Sequence, residues 1–96
     1  MNPGFVYVLT NPAMPGLVKI GLTTRNVKQR IDELYTTGVP HRFTCVYNRY
    51  VTDCSVLELA LHRYFKRSRV NNDREFFKIS PQLAQHVMDK MIGVRK

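Results

Sequence analysis

Residues 5–21 read FVYVLTNPAMPGLVKIG, and this stretch decides the fold. Two short runs rich in β-branched, aromatic and aliphatic residues flank a segment with two prolines and a glycine, which is typical of a β-hairpin with a longer loop. Pro12 and Pro15 have no amide hydrogen to give to a strand ladder, so pairing is predicted to stop at Asn11 and to resume near Leu17. This pairing predicts that Tyr7 and Lys19 face each other or nearly so.

The composition is that of one soluble globular domain. The chain has 96 residues, of which 44% are hydrophobic and 23% charged, with no repeat or low-complexity tract. We predict a single domain over residues 1–96, with a core at about 4–79 and a C-terminal helix at about 81–93. Because no apolar run is long enough to span a membrane and the N-terminus lacks a signal segment, we expect no membrane partner. The expected location is the cytoplasm of a bacterial or phage-infected cell, or the nucleus in a eukaryote.

The charge balance is strongly basic. Fifteen Lys and Arg residues stand against seven Asp and Glu, which gives a formal charge of +8. Such a charge concentrates polyanions near the surface, so DNA is the expected partner, with RNA as the second choice. The alternative is a basic surface that serves only solubility, since net charge reports on association and not on fold. The two cysteines, Cys45 and Cys54, predict buried, reduced thiols and neither a disulfide framework nor a zinc site.

After the hairpin, the hydrophobic spacing alternates between helical and strand patterns. The predicted elements are, in chain order, a helix within 23–38, a strand at 43–51, a helix from 52–55 to about 65, a strand at 75–79 and a helix from 81 to 93. Asn26 suits the N-cap of the first helix, Gly38 its left-handed C-terminal position and Ser80 the N-cap of the last helix. This order predicts an α+β domain in which a small, mostly antiparallel sheet of three to four strands is flanked by helices.

The second helix has a broad apolar face, which predicts burial against the sheet. This face comprises Val56, Leu57, Ala60, Leu61, Tyr64 and Phe65. Glu58 and His62 are one turn apart at its edge, so their side chains are expected to lie next to each other. On the first helix, Arg30 falls beside the apolar stripe. From this position the aliphatic part of its side chain can pack on the core while its guanidinium reaches a cleft.

The two hairpin strands also carry a resemblance to a known family. FVY at 5–7 and KIG at 19–21 are similar to the paired motifs of the GIY-YIG nuclease superfamily. Lys19 stands where the second motif usually has tyrosine, which resembles the divergent branch found in phage proteins and meiotically up-regulated gene products.

Two later stretches resemble the same branch. LHRYF at 61–65 looks like its L-H-x-x-F pattern, and EFF at 75–77 looks like its E-[W/F]-F element. With these stretches the resemblance covers about residues 4–79. It implies the GIY-YIG fold, in which a three-stranded antiparallel sheet is flanked by helices.

The resemblance implies an endonuclease that hydrolyses DNA phosphodiester bonds with one divalent metal ion, Mg²⁺ or Mn²⁺. In the family a glutamate holds the metal, an arginine lies near the phosphate and the hairpin tyrosines handle protons. This division is chemically sound. A hard cation on a carboxylate oxygen polarises the phosphoryl group, and a guanidinium neutralises charge that builds up in the transition state.

Three residues match catalytic positions of the family. Tyr7 is the candidate for activating the attacking water, or else a strand tyrosine packed on its neighbours. Lys19 matches by position only: its ammonium could bind phosphate or lower the pKa of a nearby phenol, or it could be a solvated strand residue. Arg30 matches the arginine of the first helix, and Arg25 is its rival near the helix start. Gly21 is expected to allow a close approach at the end of the hairpin, or simply to end the strand.

Glu58 matches the metal ligand of the family. Its alternative role is a capping box with Ser55, unless an earlier residue caps the helix. His62 is a candidate general acid or base, or a group that orients the metal shell, and its alternative is a structural histidine. Glu75 is expected to support the site or to pair with a neighbouring arginine.

Further basic residues are the predicted nucleic-acid contacts. They are Arg25, Lys28, Arg63, Lys66, Arg67, Arg69 and Arg74. Most of them lie in or next to the loop at 66–74, which is either an arm that contacts phosphates or a solvated surface.

Three functions follow from these features. The one we favour is a divalent-metal-dependent endonuclease-like domain that acts on DNA. The alternatives are a non-catalytic nucleic-acid-binding module on the same fold and a phage-type protein that binds a partner protein through its basic face. The sequence does not indicate an oligomeric state.

Overall fold

The computed structural model describes residues 1–70 and 75–93. In these residues the elements are, in chain order, strand β1 (Gly4–Thr10), strand β2 (Val18–Thr23), helix α1 (Val27–Leu34), strand β3 (Thr44–Val51), helix α2 (Cys54–Tyr64), a 3₁₀ helix (Lys66–Ser68), strand β4 (Phe76–Phe77) and helix α3 (Pro81–Ile92). The strands form one antiparallel sheet in the order β3-β1-β2-β4. The predicted α+β class, with an antiparallel sheet flanked by helices, is confirmed. Arg74, a predicted nucleic-acid contact, lies outside the described residues.

The hairpin of β1 and β2 forms, and its register is the one that the predicted ends of pairing, at Asn11 and near Leu17, imply. Tyr7 pairs with Gly21, so Tyr7 and Lys19 are diagonal neighbours on one face of the sheet and do not lie directly opposite each other. In the connecting loop, two hydrogen-bonded turns follow each other and meet at Met14, midway between Asn11 and Leu17.

Side chains alternate between the two faces of the sheet, and each face has its own core. One core is formed by the central strands with α2 and α3, and it includes Ile20 and Leu61. The other core is formed by Tyr7, Leu9 and Phe43, against which partly buried residues of α1 pack. Helix α1 and the pair of α2 and α3 thus cover opposite faces of the sheet.

Helix α1 is shorter than predicted. Its N-cap is Asn26, as predicted, because Asn26 Oδ1 accepts a hydrogen bond from the Gln29 amide at 2.7 Å. The helix ends at Leu34, since Tyr35 already has an extended backbone. Gly38 is left-handed, with φ of 93°, but it lies in a turn beyond the helix and not at its C-terminus.

The buried face of α2 is narrower than predicted. Leu57 and Leu61 are buried, but Val56 and Tyr64 are 63% and 64% exposed. The helix packs on the sheet along one side and against α3 along another. The outer members of the predicted face therefore remain in contact with solvent.

Helix α3 has the predicted ends. Ser80 Oγ accepts a hydrogen bond from the Leu83 amide at 3.0 Å, Pro81 occupies the first turn, and Gly93 ends the helix with φ of 84°. Neither α3 nor any other helix within residues 1–70 and 75–93 is long and apolar enough to cross a membrane.

Both cysteines are free thiols. Cys54 is buried, as predicted. Cys45 is only half-buried, because it lies on β3, which forms one edge of the sheet.

Strand β4 is only two residues long, so the predicted strand at 75–79 is too long. On the side away from β2 it is flanked by the start of the basic loop. The Val70 amide bonds to the Phe76 carbonyl at 3.0 Å, and the Lys78 amide bonds to the Ser68 carbonyl at 2.8 Å. Residues 68–70 therefore run beside β4, and β2 extends past the end of this short strand.

Candidate active site

The candidate site lies where strand β2 continues past the end of β4. Strand β4 pairs only with Val18 and Lys19 of β2. The next residue, Ile20, bonds to two other segments: its amide donates to the Glu75 carbonyl at 3.0 Å, and its carbonyl accepts from His62 Nε2 at 2.9 Å. Helix α2 and the residue before β4 therefore meet at this edge of the sheet.

Glu58, His62 and Glu75 converge at this edge. One ligand atom from each side chain lies within 4.8 Å of those of the other two. Glu58 and His62 share a face of α2 because they are one turn apart, and Glu75 directly precedes β4. The capping-box role for Glu58 is not realised, because Asp53 caps the helix with Oδ1 3.3 Å from the Val56 amide nitrogen.

The electrostatics of this cluster depend on burial and on like charge. Desolvation is the main cause that raises the pKa of Glu58 to about 7, and the charge of Glu75 and a hydrogen bond with it add to the shift. Lys19 opposes the shift. Its Nζ lies 3.3 Å from Glu75 Oε1 and 5.2 Å from the centre of the Phe76 ring, and 11% of its side chain is exposed. Lys19 is therefore part of the cluster and not a solvated strand residue.

Tyr7 is buried on the face of the sheet that α1 covers, and its ring lies over Gly21. A Cβ at position 21 would lie 2.6 Å from the Tyr7 hydroxyl oxygen, so only glycine leaves room for this ring. Burial is the main cause of a raised pKa at Tyr7; Arg30 opposes the rise, and the charges of Glu75 and Glu58 add to it. Lys19 links Tyr7 to the cluster by geometry, because it is a diagonal neighbour of Tyr7 on the same face of the sheet and contacts Glu75.

Arg30 connects α1 to the hairpin. Its Nε donates a hydrogen bond to the Tyr7 hydroxyl at 3.4 Å, and this bond is the main cause of the raised pKa of the guanidinium. Its Nη1 lies 3.3 Å from Glu33 Oε1. The rival, Arg25, lies 2.6 Å from Glu33 Oε2, and its side chain is 56% exposed against 38% for Arg30. The geometry brings Arg30 to Tyr7 and leaves Arg25 at the rim.

Glu33 is a site residue that the sequence analysis did not identify. Its carboxylate contacts both Arg25 and Arg30, and the hydrogen bond from Arg25 is the first cause of its lowered pKa. Glu33 therefore stays charged at neutral pH and helps to orient the Arg30 guanidinium. The three-residue spacing from Arg30 on one helix is the signal that could have identified it.

The six predicted nucleic-acid contacts that lie within residues 1–70 fall into two groups. Those exposed to solvent are Arg25, Lys28, Arg63, Lys66 and Arg67. Arg69 is half-buried, because its guanidinium lies 5.5 Å from the centre of the Phe77 ring and its backbone bridges to Phe77. Arg69 thus packs within the domain while the other five face solvent.

The donor atoms of the cluster suit a divalent cation. The carboxylates of Glu58 and Glu75 offer the oxygen ligands that hard ions prefer, and an imidazole nitrogen of His62 suits transition metals. Two carboxylates drawn together in a partly buried place repel each other, and a cation between them would relieve this repulsion. The arrangement can therefore hold one cation at this edge of the sheet.

The comparison with known proteins gives one match. A family model described as the T5orf172 domain matches residues 4–92. No curated protein and no solved structure shows significant similarity to the chain. The matched range includes Glu58, His62 and Glu75, and also the Tyr7–Arg30 pair.

Proposed function

The chain belongs to the T5orf172 domain family, which is related to nuclease-type phage proteins. We propose that it is a divalent-metal-dependent endonuclease of the GIY-YIG type that hydrolyses DNA phosphodiester bonds. One observation carries the proposal: Lys19, a diagonal neighbour of Tyr7 on the sheet, contacts Glu75 and so connects the Tyr7–Arg30 pair to the potential ligands Glu58, His62 and Glu75. A phosphodiester held there would meet a metal site, a guanidinium and a phenol, which are the groups that the reaction uses.

Glu58 is the proposed metal ligand. A Mg²⁺ or Mn²⁺ ion bound there would polarise the phosphoryl group and stabilise the leaving oxygen. The carboxylate must lose its proton to bind a cation. Because its pKa is about 7, Glu58 gives up that proton near neutral pH.

Arg30 is the proposed phosphate ligand. Tyr7 engages its Nε and Glu33 its Nη1, so the guanidinium plane is oriented and its remaining donors are available to a phosphate oxygen. The side chain is exposed enough for a phosphate to reach it.

Tyr7 enters the reaction as a neutral phenol, because its pKa is raised. Its oxygen accepts the hydrogen bond from Arg30 and can accept a second one from the attacking water, and its own hydroxyl proton can be donated to a phosphate oxygen. Tyr7 thereby positions the nucleophile beside the phosphate that Arg30 holds.

DNA binding is supported by the basic residues next to the cluster. Arg63 follows His62 directly on α2, and Lys66 and Arg67 continue into the 3₁₀ helix. All three are exposed. They can neutralise phosphates near the scissile one, so binding is expected to weaken steeply with salt.

A non-catalytic DNA-binding module is the second candidate, and one observation favours it. Lys19 occupies the position that usually carries the second tyrosine of the family, and its ammonium contacts Glu75. A phenol that could handle a proton is therefore missing from that position.

Cleavage of supercoiled plasmid in Mg²⁺ or Mn²⁺ tests the proposal, with the natural protein compared with Glu58→Gln and Asp32→Asn. Asp32 is a matched control, because it is an exposed carboxylate on α1 that pairs with Arg42. We expect equal cleavage by the natural protein and Asp32→Asn, and a loss of about 100-fold or more in Glu58→Gln. Salt-sensitive binding without cleavage would support the second candidate, and no binding at low salt would support the protein-interaction function.

A further inference from the structure

We propose that Glu58, His62 and Glu75 together form a three-ligand metal centre that binds Mn²⁺ and its first-row transition-metal neighbours in preference to Mg²⁺. The inference rests on the proposed function for the role of Glu58. It goes further by assigning His62 and Glu75 as direct metal ligands and by specifying the class of metal. A site with Glu58 alone would imply neither.

The distances fit one shared ion. Bonds from a divalent ion to carboxylate oxygen or imidazole nitrogen are about 2.0–2.2 Å long, so two ligands of the same ion lie about 3–4 Å apart. One carboxylate oxygen of each glutamate and one ring nitrogen of His62 lie within 4.8 Å of one another. Glu58 and His62 lie on α2, and Glu75 directly precedes β4, where its carbonyl is bonded to the Ile20 amide.

The hydrogen bond between His62 and Ile20 determines which ring nitrogen can bind a metal. The Ile20 carbonyl can only accept, so Nε2 of His62 carries the proton at 2.9 Å from it. In the neutral ring, Nδ1 then holds the lone pair and is the nitrogen available as a ligand. A backbone carbonyl that holds the other ring nitrogen is the usual support of a metal-binding histidine.

Glu75 is supported by the same strand. Its backbone carbonyl accepts from the Ile20 amide at 3.0 Å, which fixes the residue at the edge of β2. Its Oε1 lies 3.3 Å from Lys19 Nζ, which leaves the second carboxylate oxygen for a metal. Lys19 and Ile20 therefore hold His62 and Glu75 in place. Lys19 does so for Glu75 through its positive charge, which a tyrosine at this position would not carry.

The donor set explains the expected preference. Mg²⁺ binds almost only oxygen and keeps several of its waters, so it gains little from an imidazole. First-row transition metals bind imidazole well, so a set of one nitrogen and two oxygens favours them. A site with Glu58 as its single ligand would lack that nitrogen and discriminate less.

Titration calorimetry with Mn²⁺ and with Mg²⁺ tests the inference. The proteins compared are the natural protein, the three cluster variants Glu58→Gln, His62→Gln and Glu75→Gln, and the control Asp32→Asn. Glutamine at position 62 keeps a donor for the Ile20 carbonyl but removes the imidazole. We expect the natural protein to bind Mn²⁺ about tenfold or more tightly than Mg²⁺. Each of the three cluster variants should bind Mn²⁺ about 10-fold or more weakly than the natural protein. His62→Gln should lose much less of its affinity for Mg²⁺ than of its affinity for Mn²⁺.

Two results would overturn the inference. One is undiminished Mn²⁺ affinity in His62→Gln and Glu75→Gln with loss only in Glu58→Gln, which would leave the proposed function intact with a single metal ligand. The other is no Mn²⁺ binding by the natural protein, in which case plasmid cleavage would decide the proposed function separately. Electron spin-echo spectroscopy of Mn²⁺ on the natural protein adds a readout that needs no variant: a ¹⁴N coupling from imidazole supports the inference, and its absence contradicts it.

Discussion

Tyr7 lies directly across the hairpin from Gly21, and its ring occupies the space that a Cβ at position 21 would need. This contact orients the phenol toward Arg30. It also means that the two hairpin motifs, FVY at 5–7 and KIG at 19–21, pack on each other, independently of any role in catalysis.

The Gly21→Ala variant is therefore expected to destabilise the domain. Its Cβ would lie 2.6–2.7 Å from ring atoms of Tyr7, so the ring must move and its hydrogen bond with Arg30 must lengthen. We expect a loss of about 1–3 kcal/mol in the free energy of unfolding, as for other overpacked cores. Urea denaturation measures it. In a Tyr7→Leu background the same glycine substitution should cost clearly less, and an equal cost in both backgrounds would show that the ring is not the cause.

Arg30 and Arg25 should differ sharply in their contribution to cleavage. Arg30→Lys keeps the charge but loses the planar fork that contacts Tyr7 and Glu33 together, whereas Arg25 lies at the rim. We expect Arg30→Lys to lower the cleavage rate by about 100-fold or more, and Arg25→Lys by about threefold or less. Single-turnover plasmid cleavage measures both rates. A larger loss in Arg25→Lys would reverse the assignment of the phosphate ligand.

Glu58 is expected to make the stability of the metal-free protein depend on pH. Its pKa is about 7 in the folded protein against 4.5 ordinarily, so the folded state binds more protons than the unfolded state between these values. Stability contributed by the protonated carboxyl is complete below about pH 4.5 and is lost as the pH rises through 7. In the presence of a chelator, the melting temperature of the natural protein should fall over this range relative to that of Glu58→Gln. Parallel curves for the two proteins would contradict the shift.

The basic residues should separate into DNA contacts and a packing residue. Arg63→Gln, Lys66→Gln and Arg67→Gln each remove one exposed charge, so each should weaken DNA binding and lower the salt slope by about one. Arg69→Gln should change the salt slope little and instead lower stability, because its guanidinium packs on Phe77. Fluorescence anisotropy over a series of salt concentrations, with a thermal melt of each variant, measures both effects. A full unit of slope lost in Arg69→Gln would place that residue among the DNA contacts.

The elements that depend on local chemistry could be predicted from the sequence. The Asn26 and Ser80 caps, the left-handed Gly93 and the hairpin follow from side-chain hydrogen bonds and backbone preferences within a few residues. Likewise, the adjacency of Glu58 and His62 follows from helix geometry alone.

The features that depend on distant parts of the chain could not be predicted. The exposure of Val56 and Tyr64 depends on where α3 packs, and the half-burial of Arg69 depends on its bridge to Phe77. The approach of Glu75 to Glu58 also depends on how short β4 is, which periodicity does not show.

The central claim is that one phosphodiester is held between Glu58 and Arg30 at the edge of β2. A crystal structure with a short DNA duplex and Ca²⁺, chosen as an oxygen-binding ion, tests it most directly. We expect anomalous density for Ca²⁺ on the Glu58 carboxylate and a DNA phosphate oxygen within hydrogen-bonding distance of the Arg30 guanidinium, beside the Tyr7 hydroxyl. DNA bound on another face, or Ca²⁺ bound away from Glu58, would contradict it.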